Sequence, residues 1–217
     1  FSLRDTEGIP FGDALKYATL ASGKTGVRPA LILAILTQES DLGKNQGSCL
    51  VNNLDTGDGA GKNTGTFFEQ VMKAPRDTSP FKDITDRLGK DWKMTPVSCP
   101  PGTIWSKSRG YGGGMGPSQF IPSTWELFKD RLGSSLGLNG NDVNPWNPEH
   151  AILATAVYMA DLGASGGGYT AERNASCKYY SGRSCDSKRP ANSFYGTQVM
   201  VKAENIQLTM IDPLEGF

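Results

Sequence analysis

Six consecutive apolar residues, Leu31 to Leu36, stand between Pro29 and the polar run Thr37-Gln38-Glu39-Ser40. Proline is tolerated in the first turn of a helix, and Gly43 supplies a natural stop. A helix that is apolar all round must be buried, so this segment is expected at the centre of the fold. On a helix, positions i, i+3, i+4 and i+7 share a face, which puts Ile32, Ile35, Leu36 and Glu39 on one stripe. An acid at the end of that stripe has two influences raising its pKa. Apolar surroundings disfavour the anion, and so does the partial negative charge of the helix C-terminus. A carboxylic acid held protonated near neutral pH is a general acid. A structural Glu paired with Lys or Arg fits the same helix. The helix alone leaves both readings open.

Other segments follow the same logic. Residues 11–24 read as a helix with Leu15, Ala18 and Leu20 on or near one side. Short helices are expected over 66–74 and 80–89. Pro122 cannot sit mid-helix, and Ser123 and Glu126 are spaced as a capping box, so a helix is expected over about 124–132. Asn147 caps a further helix that begins at Pro148 and ends at Gly163. The last helix is expected over about 193–204. No internal repeat and no sustained period-two alternation occurs, so extended sheet is minor and the class is mainly α. The expected organisation is a single domain over 1–217, with residues from about 44 to 110 as a long insertion packed on the core. The chain opens on Phe1, which suggests a mature or excised form whose export signal or anchor lies upstream.

Lys plus Arg number 22 and Asp plus Glu number 22, so the chain has no net charge. That argues against nucleic acid or an anionic membrane as partner, since both need a basic face. Membrane association is expected only through an anchor outside this chain. No phosphate-binding glycine motif follows a strand, so nucleotide use is not expected. His150 is the single histidine and sits in the first turn of a helix, as a capping or surface residue, which disfavours Ser-His or Cys-His catalysis. The four cysteines, Cys49, Cys99, Cys177 and Cys185, form no C-x-x-C pair, so a zinc site is not expected. An even count fits two disulfides and an exported protein. Three pairings are open, and the favoured one joins Cys177 to Cys185 as a local clip and Cys49 to Cys99 across the insertion. Four buried thiols are the alternative. Asp55 and Asp58 lie in a Gly/Asn/Asp run without calcium-loop spacing and read as a turn.

A second segment, GYGGGMGPSQFIPSTW from Gly110 to Trp125, is dense in glycine and aromatics. Glycines let a flat ligand approach the backbone. Gln119 offers a donor and an acceptor, and Tyr111, Phe120 and Trp125 offer apolar faces suited to sugar rings. Packing for purely structural reasons is the competing reading.

Together, ILTQESDLGK and GGMGPSQFIPSTW resemble the lytic murein transglycosylases, the second motif being most similar to the membrane-bound lytic transglycosylase B type. YYSG at Tyr179–Gly182 occupies the place of that family's Tyr-Asn-Ala-Gly motif, and NPWNPEHAI resembles its Trp-Asp-Pro stretch. The resemblance covers roughly 11–43 and 110–204. It implies a lysozyme-like helical core, with a small strand and loop region at the cleft. It implies extracytoplasmic cleavage of the MurNAc–GlcNAc β-1,4 bond of peptidoglycan strands, forming a 1,6-anhydro ring, and no cofactor is expected. Glu39 is then the single acid/base, and Ser40 supports it. Met115, Gly116, Ser118, Gln119 and Phe120 contact the sugars from the glycine-rich segment. Tyr179 and Tyr180 contribute from the YYSG motif. Tyr180 and Ser181 depart from the family's Asn and Ala. Some B-type members bind calcium before the Trp-Asp-Pro stretch, whereas LNGNDVNPW here has Asp142 as its sole acid, and no calcium is expected.

Two other functions compete. A goose-type lysozyme-like hydrolase needs a second carboxylate, for which Asp41, Asp55 and Asp58 are the acids near Glu39 in the sequence, Asp41 facing another side of the helix. A non-catalytic glycan-binding module would be marked by loss of the Glu, and Glu39 is present.

Overall fold

The computed structural model describes residues 7–102, 110–185, 188 and 190–216. The expectations for residues 103–109 and for the first residues of the chain lie outside these. The described chain is mainly helical, with one small antiparallel sheet. Its described residues divide into two compact units, one holding residues 7 and 44–150 and the other residues 8–43 and 151–216.

The second unit is built on the apolar run. Helix α1 (Phe11–Thr25) is followed by α2 (Pro29–Ser40), in which Ala30 through Leu36 are all buried. The buried side of α1 is Ala14, Ala18 and Ala21, while Leu20 is exposed. The expected stripe of Leu15, Ala18 and Leu20 is thus rotated. Alanines at i, i+4 and i+7 let two backbones come close, which leucines would prevent. α2 ends at Ser40, three residues before the expected Gly43. Asp41, Leu42 and Gly43 all take positive φ values, of 50°, 55° and 85°. Two of these are not glycines, a conformation that surrounding structure has to impose. The Ser40 hydroxyl helps by donating to Leu36 O at 3.1 Å and accepting from Gly43 N at 2.9 Å.

Helices α6 (Gly168–Ser181) and α7 (Pro190–Ile206) complete that unit, together with most of α5 (Pro148–Asp161). α7 is longer than expected at both ends. It buries Asn192, Tyr195, Gly196, Val199, Met200 and Ala203, an i, i+3, i+4, i+7 stripe. Arg28 ties three helices of the unit together. Its Nε donates to both Glu172 carboxylate oxygens at 2.9 Å, and its Nη2 reaches Glu204 at 3.0 Å. The Cys177–Cys185 disulfide closes the turn after α6.

The other unit contains the sheet. Strands β1 (Cys49–Val51), β2 (Gly59–Gly61) and β3 (Phe67–Phe68) form an antiparallel meander in that order. β3 stands where a helix over 66–74 was expected. Phe67-Phe68 are residues that suit strands, and Pro75 lies just beyond. α3 (Thr78–Arg87) and α4 (Pro122–Leu136) pack in this unit, and the Cys49–Cys99 disulfide staples it. Both disulfides are the favoured pairing.

The start of α4 differs from its expected capping box. Ser123 does not cap its own helix. Its N–H and its hydroxyl donate instead to Oδ1 of the wholly buried Asp77, at 3.2 and 2.6 Å. Glu126 accepts from Arg87 Nη1 at 2.7 Å. A carboxylate from another element has taken the role of a local cap. The cap of α5 is as expected, with Asn147 Oδ1 accepting from Glu149 N at 2.9 Å and His150 N at 3.3 Å.

Candidate active site

Glu39 lies in the last turn of α2, directly after the buried apolar run. Its one hydrogen bond among the described residues comes from the Tyr195 hydroxyl, which donates to Oε1. Burial pushes the carboxyl up from 4.5 to about 7, and the Tyr195 bond draws it partly back. Tyr195 itself is nearly wholly buried, and burial, followed by the Glu39 charge, raises its phenol well above the ordinary value. Tyr195 therefore stays a donor across the physiological range. The ion-paired structural Glu weighed for this helix has a real example in the unit, but it is Glu172, clamped by Arg28. No ion pair joins Glu39 among the described residues.

Four more polar aromatic and hydroxyl groups gather in the same unit. The Tyr180 ring stacks on the Tyr195 ring, with centroids 4.7 Å apart and planes 15° from parallel. Tyr179 packs against Tyr158 at 5.2 Å. The Tyr179 hydroxyl is 3.2 Å from Thr155 Oγ1. Tyr179 and Tyr180 come from the end of α6, Thr155 and Tyr158 from α5 and Tyr195 from α7. Sequence reasoning named Tyr179 and Tyr180 and missed Tyr195. Its helical spacing to Val199 and Ala203 marks it as inward-facing, but nothing local says that it meets Glu39.

The glycine-rich segment belongs to the other unit. Met115 and Phe120 bond backbone to backbone across a tight turn, Met115 N to Phe120 O at 3.0 Å. Met115, Gly116, Ser118 and Phe120 are buried, and Phe120 packs edge-on against Trp125 and Phe128 at 5.7 and 5.9 Å. The glycines serve close packing. A Cβ at Gly112 would sit 2.1 Å from Ser98 O, and one at Gly116, where φ is +64°, would sit 2.0 Å from Pro145 O. Gln119 takes a positive φ of 57°. Its Nε2 donates to Gln46 O at 3.0 Å and Gly116 O at 2.9 Å, and a Cβ on Gly114 would lie 2.6 Å from its Oε1. Tyr111 is exposed, with Lys73 Nζ and the Arg76 guanidinium both over its ring, at 5.8 and 5.7 Å.

The loop before Pro148 is held by its own bonds. Asn139 Oδ1 accepts from Asn141 N, Asn144 Oδ1 accepts from Trp146 N, and Asn141 Oδ1 accepts from the Lys129 ammonium at 3.0 Å. Oxygens already committed this way, beside a lysine ammonium, do not fit a divalent cation that needs six to eight of them. Asp55 N and Thr56 N donate to Asn53 Oδ1 at 2.9 and 3.2 Å, the turn expected there, and Asp58 accepts from Gln70 N at 2.8 Å. His150 Nδ1 accepts from Asn144 N at 2.9 Å, and burial lowers its pKa, so the neutral ring serves the start of α5.

No protein-family model matches the chain, and no curated protein matches it in sequence. Two solved structures are similar to it. One is the Escherichia coli lytic transglycosylase Slt35 in complex with calcium, at 21% identity and a TM-score of 0.43. The other is a 36 kDa muramidase/transglycosylase, at 22% identity and a TM-score of 0.42. Each match covers 70% of this chain and 41% of the solved one.

Proposed function

We propose that the chain is a peptidoglycan lytic transglycosylase with Glu39 as its acid/base. The observation that carries this reading is a carboxyl that burial holds protonated up to about pH 7, oriented by a tyrosine hydroxyl and free of ion pairs among the described residues. Tyr195 occupies Oε1, so Oε2 is the atom that delivers the proton. Glu39 donates to the glycosidic oxygen as the MurNAc C1–O bond breaks, and GlcNAc leaves with a free 4-hydroxyl. The resulting carboxylate then takes the proton of the MurNAc C6 hydroxyl. That oxygen bonds to C1 and closes the 1,6-anhydro ring, which returns Glu39 to its acid form without consuming water. One tunable carboxyl serves both steps, because a pKa near the working pH favours donation and recapture alike. The two disulfides support an extracytoplasmic setting, where they persist.

The test is mass analysis of peptidoglycan digested by the protein. The expected products end in 1,6-anhydroMurNAc. Reducing MurNAc ends would make the enzyme a hydrolase instead. Glu39→Gln is expected to lower lytic activity by at least about 100-fold, the usual scale of general acid catalysis. Full activity in that variant would remove Glu39 from the chemistry.

A further inference from the structure

Tyr180 has one ring face against Tyr195 and is 51% exposed, beside a Tyr195 that is only 6% exposed. A buried tyrosine in contact with the acid is thus covered by a half-exposed one that the reaction described above does not use. We propose that the outward face of Tyr180 is a stacking platform for a pyranose ring of the glycan, with Tyr195 between it and Glu39. The proposal rests on the peptidoglycan reading of the site.

Three observations carry it. The first is distance along a chain of contacts: Glu39 meets the Tyr195 hydroxyl, and the Tyr195 ring meets Tyr180 at 4.7 Å. The exposed ring and the acid are thus joined through a single intervening side chain. The second is rigidity. The near-parallel stack and the Cys177–Cys185 disulfide three residues earlier hold the ring in place, so little side-chain freedom is lost when a ligand docks. A Cβ on Gly196 would come within 2.4 Å of Cys177 Sγ, which shows how tightly the disulfide seats against the residue next to Tyr195. The third is chemistry. Sugar rings present an apolar C–H face, and a phenol ring offers a flat apolar surface with a polar tip that tolerates water. An Asn at this position would hydrogen-bond a sugar but offer it no face.

The experiment measures binding of a β-1,4-linked GlcNAc–MurNAc tetrasaccharide by calorimetry, in a Glu39→Gln background so that the ligand survives. Tyr180→Ala and Tyr180→Asn are each expected to raise Kd about fivefold, the scale of one aromatic contact. Tyr180→Phe, which keeps the ring, is expected to bind within about twofold of the parent. Equal Kd values for the parent and Tyr180→Ala would overturn the platform while leaving the peptidoglycan reading intact. A parent that binds no tetrasaccharide would overturn both. If Tyr180 acted only by packing Tyr195, Tyr180→Ala made in the protein that keeps Glu39 would lower the melting temperature and shift the pH profile of activity, while Kd in the Glu39→Gln background stayed unchanged, and that too overturns the platform.

Discussion

At the scale of single residues, the pKa of Glu39 makes the site testable through pH. The acid must be protonated to work, so kcat/KM is expected to fall as pH rises past about 7. The Tyr195 bond lowers that pKa, so Tyr195→Phe is expected to move the alkaline limb to higher pH. A limb that stays put would mean another group sets it. The same carboxyl affects stability with a definite sign. Its folded pKa is raised from 4.5 to about 7, so the folded state holds the proton more tightly than the unfolded one. The contribution of this group to stability is then highest below about pH 4.5, falls as pH rises to about 7 and is flat above. The loss is at most about 3 kcal/mol. Glu39→Gln is expected to lack this fall, and urea titrations of both proteins between pH 4 and 8 check it, parallel curves being the contrary outcome. The inward face of Glu39 was legible from four residues at helical spacing, because that spacing is a local property of the backbone. Its partner was not, since Tyr195 lies 156 positions away.

At the scale of elements, helix bodies were more legible than helix ends and loops. Apolar runs and prolines located α2, α4 and α5. The start of α4 was misjudged because Ser123 and Glu126 match a local cap yet find stronger partners in Asp77 and Arg87. Removing a buried acceptor leaves its donors unsatisfied. Asp77→Ala is therefore expected to cost about 2–3 kcal/mol in denaturant unfolding, and Glu126→Ala less. The reverse order would restore the local cap. The glycine-rich segment taught a similar lesson. Glycine density signals close approach, and the sequence does not say whether a ligand or the chain itself approaches. At Gly112 and Gly116 it is the chain's own backbone.

At the scale of the whole molecule, each compact unit carries its own disulfide, and the two close loops of very different length, 50 residues for Cys49–Cys99 and 8 for Cys177–Cys185. Loop-closure entropy alone assigns about 4 kcal/mol to the longer staple and about 2.5 to the clip. Unfolding of the Cys49→Ser/Cys99→Ser and Cys177→Ser/Cys185→Ser proteins is expected to rank them in that order, and the opposite rank would mean that the clip acts mainly through the packing around Gly196. By itself, the sequence determined a mainly helical chain, a buried central helix with an acid at its end, the cap of α5 and an even set of cysteines. All of these follow from composition or from backbone periods of a few residues. Only the tertiary structure decided that a tyrosine holds that acid, that Asp77 caps a helix it does not belong to, and that the glycines make room for the protein's own chain. Such choices depend on which distant segments meet, and that is settled by packing whole helices against one another rather than by any local pattern.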